Sequence, residues 1–193
     1  VAPAPLDVVW EEGGVPMISD QFQQNFGQAV PDGTGGAFMV WEDWREEDQP
    51  RLYGQRMAAD GTKFWARDGV PLAPIGSRAS SAVSDEAGGF IVAYLINATT
   101  DEAHVRYLQR FDGGGRPLWG AEGIVVTAEE SYSSSSAQLV ADGRHGAWVI
   151  WRDWQPAQST LGLSVQHLSA EGSVTIPRER ELIAGHIFSA QPA

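Results

Sequence analysis

Cysteine is missing from the 193-residue chain, so disulfides, thiolate metal sites and thiol nucleophiles are excluded. Basic residues are scarce, because 13 Lys and Arg stand against 25 Asp and Glu, and the formal net charge is −12. That charge repels a phosphate backbone, and no local Lys/Arg cluster offsets it. No apolar run approaches the roughly 18 residues that a membrane-spanning helix needs. We therefore expect neither a nucleic-acid partner nor a membrane span.

Recognisable catalytic, cofactor and metal motifs are also missing. The sequence contains no Gly-x-Ser-x-Gly nucleophile motif, no His-x-x-x-His pair and no regular Asp-x-Asp-x-Asp calcium loop. We predict no catalytic residue, no cofactor and no metal site. Spacing along the chain does not reveal which carboxylates lie close together, so a glycosidase-type pair stays open, but a non-enzymatic protein is favoured.

Turn residues and large aromatic side chains are abundant. The chain has 22 Gly, 11 Pro and 8 Trp, and 42% of its residues are hydrophobic. This combination favours short strands joined by tight turns, so we predict an all-β fold. An acidic β-protein that is rich in Gly and Trp and lacks cysteine is typical of bacterial periplasmic or secreted proteins. We therefore predict a periplasmic or extracellular location.

An internal repeat is the main signal in the sequence. Val30–Trp41 aligns with Val83–Tyr94 and Val140–Trp151, so successive copies are offset by 53 and 57 residues. In each segment a Val comes first, an Asp follows two positions later, a Gly six positions later, and an aromatic residue closes it. Three closing aromatics at one repeat position predict packing between units.

Two further blocks follow in each copy. A Gln-basic pair precedes a turn glycine by six residues and, in the first two copies, a Trp by ten; the pairs are Gln55-Arg56, Gln109-Arg110 and Gln166-His167. A short apolar block closes the unit, as in 69–73 and 123–127. Each copy is interpreted as four strands, of which the second is apolar at nearly every position and the fourth is predicted to end at Trp65, Trp119 or Ile176.

Units of four short strands with turn glycines and one or two aromatics are typical of β-propeller blades. The segments 60–65 (DGTKFW) and 114–119 (GGRPLW) resemble the turn-then-Trp motif of quinoprotein-type repeats in secreted bacterial β-propellers. The resemblance implies one partial propeller domain over residues 1–193. Its repeats span about 25–78, 79–134 and 135–188. Residues 1–24 are predicted to hold the final strand of a preceding blade and 189–193 the start of a following blade.

Three blades with two extra strands do not obviously close a propeller, which typically has four or more blades. We expect either further blades of the same polypeptide or closure by another protein chain. An open blade would otherwise expose unpaired strand edges and invite association.

The copies differ most just after their second strand, and we place the candidate binding site there. The residues are Asp43, Trp44 and Arg45 in the first copy and Arg152, Asp153 and Trp154 in the third. The aspartates are expected to cap the following turn. Each Trp is either buried under its own loop or offered to a sugar ring or a protein side chain. The acidic run around Glu42–Asp48 is interpreted as a solvated loop.

Three functions stay open at this point. The first is a non-enzymatic propeller scaffold that mediates protein–protein interaction, as an accessory subunit of a larger surface or periplasmic complex. The second is carbohydrate binding or glycoside processing, with loop tryptophans as stacking surfaces. The third and least favoured is a fragment of a quinone-dependent dehydrogenase, since no cofactor-binding residue can be mapped.

Overall fold

The computed structural model describes residues 14–19, 22–46, 49–97, 104–127, 137–155 and 160–176. These ranges contain eleven β-strands and no helix, and therefore no helix that could cross a bilayer. The strands are β1 Gln24–Pro31, β2 Ala37–Glu46, β3 Gln49–Met57, β4 Val70–Ile75, β5 Ser77–Ser84, β6 Phe90–Asn97, β7 His104–Phe111, β8 Ile124–Val125, β9 Gln138–Ala141, β10 Ala147–Gln155 and β11 Thr160–Leu168. The predicted all-β fold is confirmed.

The strands form three antiparallel sheets in chain order. The first sheet is β1-β2-β3-β4, the second is β5-β6-β7-β8, and the third has β9-β10-β11 among the described residues. Strands that pair within a sheet also follow each other in the chain, so each sheet is a meander. The second strand is an inner strand in each sheet. In β6, residues 90–95 are all buried, as the apolar sequence predicts.

The fourth strand lies later in the chain than we predicted. The segment that ends at Trp65 makes only one bridge, between Met57 and Lys63, and the segments before Trp119 and Ile176 do the same. The pairing strand is β4 in the first sheet and β8 in the second, both of which come after the Trp. The prediction that strand four ends at Trp65 or Trp119 is therefore wrong, and the end at Ile176 stays a prediction because the residues that follow it lie outside the described ranges. Trp10 and residues 189–193 lie outside the described residues, and the partial strands at the two ends stay predictions.

Successive sheets pack through opposite faces. We call the face toward the next sheet along the chain the leading face, and the opposite one the trailing face. Alternation along a strand sends Phe38 and Val40 to the leading face of the first sheet and Met39 and Trp41 to its trailing face. One core cluster joins the leading face of the first sheet to the trailing face of the second, and another joins the second sheet to the third in the same way.

An indole fixes the spacing at each of these two junctions. Trp65 Nε1 donates to the carbonyl of Gly113 at 3.3 Å, and Trp119 Nε1 donates to the carbonyl of Ala170 at 2.9 Å. Both acceptors lie in the turn after the third strand of the following sheet. Gly172 completes the second contact, because a Cβ there would come within 2.9 Å of the Trp119 ring.

Candidate functional site

The first-copy candidate residues lie in a strand and not in a loop. Strand β2 continues to Glu46, five residues beyond the predicted end at Trp41, and carries Asp43, Trp44 and Arg45 at the end of the first sheet. Residues 41, 43 and 45 share one side of the strand because side chains alternate. The sequence therefore already contains a period-two signal that brings these three side chains together.

Asp43 is fully buried and accepts hydrogen bonds from three groups. Trp41 Nε1 donates at 3.0 Å, the Arg45 backbone N–H at 3.0 Å and Arg45 Nε at 2.8 Å. Burial acts to raise the pKa of Asp43, but the bonds from Arg45 and Trp41 outweigh it and lower the pKa overall. The expected bond to a backbone amide is present. The carboxylate is held ionised as the centre of a local network.

The charges next to Asp43 are paired within the first sheet. Arg45 also donates to the Asp68 carbonyl at 3.0 Å and lies 4.2 Å from the centre of the Tyr53 ring. Glu46 accepts from Arg51 at 2.8 Å and from the Tyr53 hydroxyl. The Tyr53 bond, against a smaller effect of burial, holds the pKa of Glu46 low, while burial and the same carboxylate raise the pKa of Tyr53 to about 12. Neither group is suited to proton transfer near neutral pH.

Trp44 is half-buried at the junction with the second sheet. The Arg78 guanidinium of β5 lies 5.7 Å from the centre of the Trp44 ring, within cation–π range. Its indole Nε1 is buried and finds no hydrogen-bond acceptor among the described residues. Beside it, burial raises the pKa of Glu42, although the charge of Arg78 and the Ala79 backbone oppose the shift. This Trp contributes to sheet–sheet packing, and Arg78 occupies one side of its ring.

The third-copy candidates are described less fully. Arg152, Asp153 and Trp154 all lie in β10, where Trp154 is paired with Leu161 of β11. Arg152 is exposed. The side chains of Asp153 and Trp154 lie outside the described part of the chain, so their proposed roles stay predictions.

The solvated-loop interpretation of the acidic run is wrong for its first members. Glu42 and Asp43 are buried, and Glu46 is paired as described above. The remaining two residues, 47 and 48, are outside the described ranges. In the described ranges, moreover, no group of three or more His, Asp or Glu residues is arranged to hold a metal ion.

The repeated Asp has a structural role that the sequence reading missed. Asp32 Oδ1 accepts the backbone N–H of Thr34 at 2.8 Å and of Gly36 at 2.9 Å, and Arg56 of β3 pairs with its second oxygen at 2.9 Å. Burial opposes ionisation, but these bonds hold the pKa of Asp32 at about 2. Asp85 repeats the arrangement with Arg110, and Asp142 repeats it with His167 at 2.7 Å. Each set ties the first turn of a sheet to its third strand.

The repeated Gln has an equally regular role. The side-chain oxygen of Gln55 accepts the Trp65 backbone N–H at 2.9 Å, and its nitrogen donates to the Ala66 carbonyl at 2.7 Å. Gln109 makes the same pair of bonds at Trp119 and Gly120. Gln166 does so at Ile176. The Gln thus orients the closing segment, and its recurrence in all three copies was the signal for this role.

The closing aromatics of the second strands lie in similar surroundings. Trp41 is buried against Gly69 and stacked on Tyr53, with ring centres 6.3 Å apart. Tyr94 stacks on Tyr107 at 5.5 Å and approaches Gly123, the repeat equivalent of Gly69. Trp151 is likewise buried, between the second and third sheets. The predicted packing between units is confirmed for Tyr94 and Trp151, which lie in the two clusters that join successive sheets. Trp41 instead packs within its own sheet and borders a pocket on the trailing face.

No described sheet covers the leading face of the third sheet, which we call the bare face. Its large apolar side chains are exposed, namely Val140 at 61%, Trp148 at 44%, Ile150 at 39% and Leu163 at 50%. The equivalent residues of the first sheet, which the second sheet covers, are buried: Val30, Phe38, Val40 and Leu52. The first and third sheets therefore differ in whether a described sheet covers their leading face.

A pocket lies on the trailing face of the first sheet. It has a volume of about 470 Å³ and is bounded by residues 15–18, β1, β2 and Met57. Its wall is mostly apolar, with Met17, Met39 and Trp41 among the contributors. The pocket is open to solvent at the opposite end of the row of sheets from the bare face.

Comparison with protein-family models, with curated proteins and with solved structures finds no match for this chain. Its function is therefore argued from the contacts above.

Proposed function

We propose that this chain is part of a non-enzymatic β-propeller scaffold, located outside the cytoplasm, that binds protein through the leading face of its third sheet. The propeller arrangement is supported by three meander sheets in chain order that pack leading face to trailing face. The same indole-to-turn hydrogen bond at two successive junctions supports a regular spacing. The location outside the cytoplasm is supported by composition alone.

The bare apolar face is the observation that carries protein binding. Contiguous exposed apolar patches on soluble proteins commonly mark interaction sites, and Trp is enriched at the centre of protein interfaces. Val140, Trp148, Ile150 and Leu163 come from all three strands of the third sheet, so they form one face and not scattered side chains. A partner that buries this face removes the apolar area from water.

The charged cluster at the end of β2 gives no comparable support for catalysis or for sugar binding. Asp43 and Arg45 satisfy each other and the adjacent backbone, and Glu46 is satisfied by Arg51 and Tyr53. Trp44 has Arg78 over its ring and is partly enclosed between sheets. The cluster therefore supports a structural role.

Protein binding can be tested by native co-purification with matched charge variants. Trp148→Glu places a charge on the bare face, whereas Leu118→Glu places one at a similarly exposed apolar residue elsewhere. We expect the wild type and Leu118→Glu to retain the same protein partner, of whatever identity, and Trp148→Glu to lose it. Equal retention by both variants, or no partner at all, would contradict the proposal.

Sugar binding is separated from protein binding by fluorescence. Titration of the chain with a broad panel of oligosaccharides should leave its Trp emission unchanged if protein is the partner. A saturable response that Trp44→Ala or Trp154→Ala abolishes would instead establish the carbohydrate alternative.

A further inference from the structure

We infer that the partner of the bare face is a second copy of this chain, bound head to tail so that two copies close a ring of sheets. This inference rests on the proposed scaffold function and names its partner. The leading face of the third sheet of one copy would pack on the trailing face of the first sheet of the other. A two-fold axis then makes the same contact twice.

Repeat equivalence shows which kind of surface covers the leading face of a sheet. Trp148 stands where Phe38 and Ile91 stand in the first two sheets, and Ile150 stands where Val40 and Ala93 stand. All four of those equivalents are completely buried by the trailing face of the following sheet. The structure thus shows twice what covers this face, and in both cases it is another sheet of the same repeat. The first sheet is the one sheet whose trailing face no described sheet covers.

The trailing face of the first sheet has space where Trp148 of a docked copy would pack. In the junction between the first two sheets, Phe38 packs on Phe90, with ring centres 4.7 Å apart. The repeat equivalent of Phe90 in the first sheet is the small Ala37. The larger Trp148 of a docked copy would therefore approach a smaller residue. The pocket beside β1 and β2 leaves room for apolar side chains from the docked sheet.

Hydrogen bonds at the existing junctions fix the register of the docked copy. The Gln28 side chain donates to the Ala82 carbonyl at 2.9 Å and accepts the Ala82 N–H at 2.8 Å. At the next junction, Ser81 Oγ accepts the Leu139 N–H at 3.2 Å. The third member of this series is Gln138, which is exposed. Its partner by repeat equivalence is Ala29, which lines the pocket of the first sheet.

A second polar position agrees with the same register. Ser77 Oγ of the second sheet accepts the Leu52 N–H of the first sheet at 3.0 Å. The equivalents are Gln24 in the first sheet and Leu163 in the third. Docking would bring the Leu163 N–H to the side-chain oxygen of Gln24, which can accept it. At the second junction the equivalent N–H, that of Arg106, donates to Thr127 Oγ1 of its own sheet.

The number of described sheets agrees with two copies. The described residues of one chain form three sheets, so two chains bring six, which lies within the range of about four to eight that propellers typically have. A third copy would exceed that range. A closed pair also removes both exposed ends at once, whereas open head-to-tail assembly would continue into a filament.

The test is the mass of the full chain by light scattering after gel filtration. We expect twice the 20.9 kDa of one chain. Trp148→Glu on the leading face and Met39→Glu on the trailing face should each weaken association on the order of a hundredfold, because each buries an unpaired charge. Leu118→Glu, outside both faces, should leave the mass unchanged. Thermal unfolding followed by circular dichroism checks that each variant is folded, and Ile150→Glu replaces Trp148→Glu if that variant is not.

Mixing the two variants distinguishes head-to-tail from face-to-face contact. Each variant retains the one face that the other lacks, so an equimolar mixture should recover a pair through the single intact junction. If third sheets instead contacted each other, Met39→Glu would dimerise alone and the mixture would not be rescued, which overturns the inference. A monomeric wild type also overturns it, while retention of a different protein that Trp148→Glu abolishes would leave the proposed scaffold function standing.

Discussion

The second and third sheets share the same repeat pattern but differ in what covers them. The second sheet is buried between two neighbours, so that Ile91 and Val92, on opposite faces of β6, are both completely buried. In the third sheet Val149 is buried in the same way, but the next-door Trp148 is exposed. The comparison shows that strand pairing within a sheet does not depend on cover for both faces. The leading face of the third sheet keeps its large apolar residues although no described sheet covers it.

Truncation to Ala at the equivalent positions 91 and 148 should give the largest difference in the free energy of unfolding. Ile91→Ala removes a fully buried side chain and should cost about 2–5 kcal/mol of the free energy of unfolding, because it leaves a cavity. Trp148→Ala at the equivalent, exposed position should cost about 1 kcal/mol or less. Urea unfolding at a concentration where the wild type is monomeric measures both. Equal costs would mean that Trp148 is covered in solution even within one chain.

Acid should destabilise the protein through the aspartates in the first turn of its sheets. Folding lowers the pKa of Asp32 from its usual value to about 2 and also lowers the pKa of Asp142. A carboxyl group whose pKa is lowered on folding stabilises the protein above its unfolded pKa, and this contribution is lost as the pH falls through its folded value. We therefore expect the melting temperature to fall between about pH 4 and pH 2. Asp32→Asn should flatten that dependence, and an unchanged slope would assign the acid sensitivity to other groups.

Loss of one indole N–H should have a smaller effect. Trp119→Phe removes the bond to the Ala170 carbonyl and should cost about 1 kcal/mol of unfolding free energy. That carbonyl also accepts a bond from Arg110 Nη1 at 2.9 Å, so it keeps one partner. Trp65→Phe removes a longer bond of 3.3 Å and is the matched comparison, with an equal or smaller cost. A larger loss at Trp65 would show that its ring packing, and not its N–H, dominates.

Replacement of His167, the partner of Asp142 in the third sheet, should have the smallest effect on stability. His167 replaces the arginine that pairs with the turn Asp in the other two sheets. A guanidinium presents a planar fork of N–H donors that matches the two oxygens of a carboxylate, whereas His167 reaches Asp142 with one ring nitrogen. We expect His167→Arg to stabilise the chain by a few tenths of a kcal/mol, because the pair lies near the surface. Urea unfolding of the two proteins is the measurement, and a loss of stability would contradict the explanation.

Much of the fold could be predicted because its determinants are local and repeated. The alignment of Val30–Trp41 with its two copies located the first turn and the central strand of every sheet. The fourth strand could not be placed in the same way. The residues before Trp65 resemble a strand in sequence, because an aromatic residue that reaches the core is typical of a strand. In the structure, hydrogen bonds from the Gln55 side chain hold that segment in a turn. Strand β4, which contains two prolines, does not carry a typical strand sequence.

The candidate site was predicted less well than the fold. Charged residues such as Asp43 and Glu46 were assigned to a solvated loop because carboxylates are rarely buried. They lie in a strand because Arg45, Arg51 and Tyr53 satisfy them across the sheet end, and linear spacing does not show cross-strand partners. The same limit applies to the bare leading face. Trp148 and Ile91 occupy the same repeat position, and only the three-dimensional structure shows that a following sheet covers Ile91 while no described sheet covers Trp148.

The indole bonds between sheets have a consequence for how such a chain can change over time. Trp65 and Trp119 donate to main-chain carbonyls, and every amino acid carries that group, so Gly113 and Ala170 serve equally well. The accepting position can therefore change its side chain while the distance from one sheet to the next stays constant, although Gly115 and Gly172 of the same turns lie directly against the rings. Copies that descend from one ancestral unit can in this way lose their likeness in sequence long before they lose their common shape.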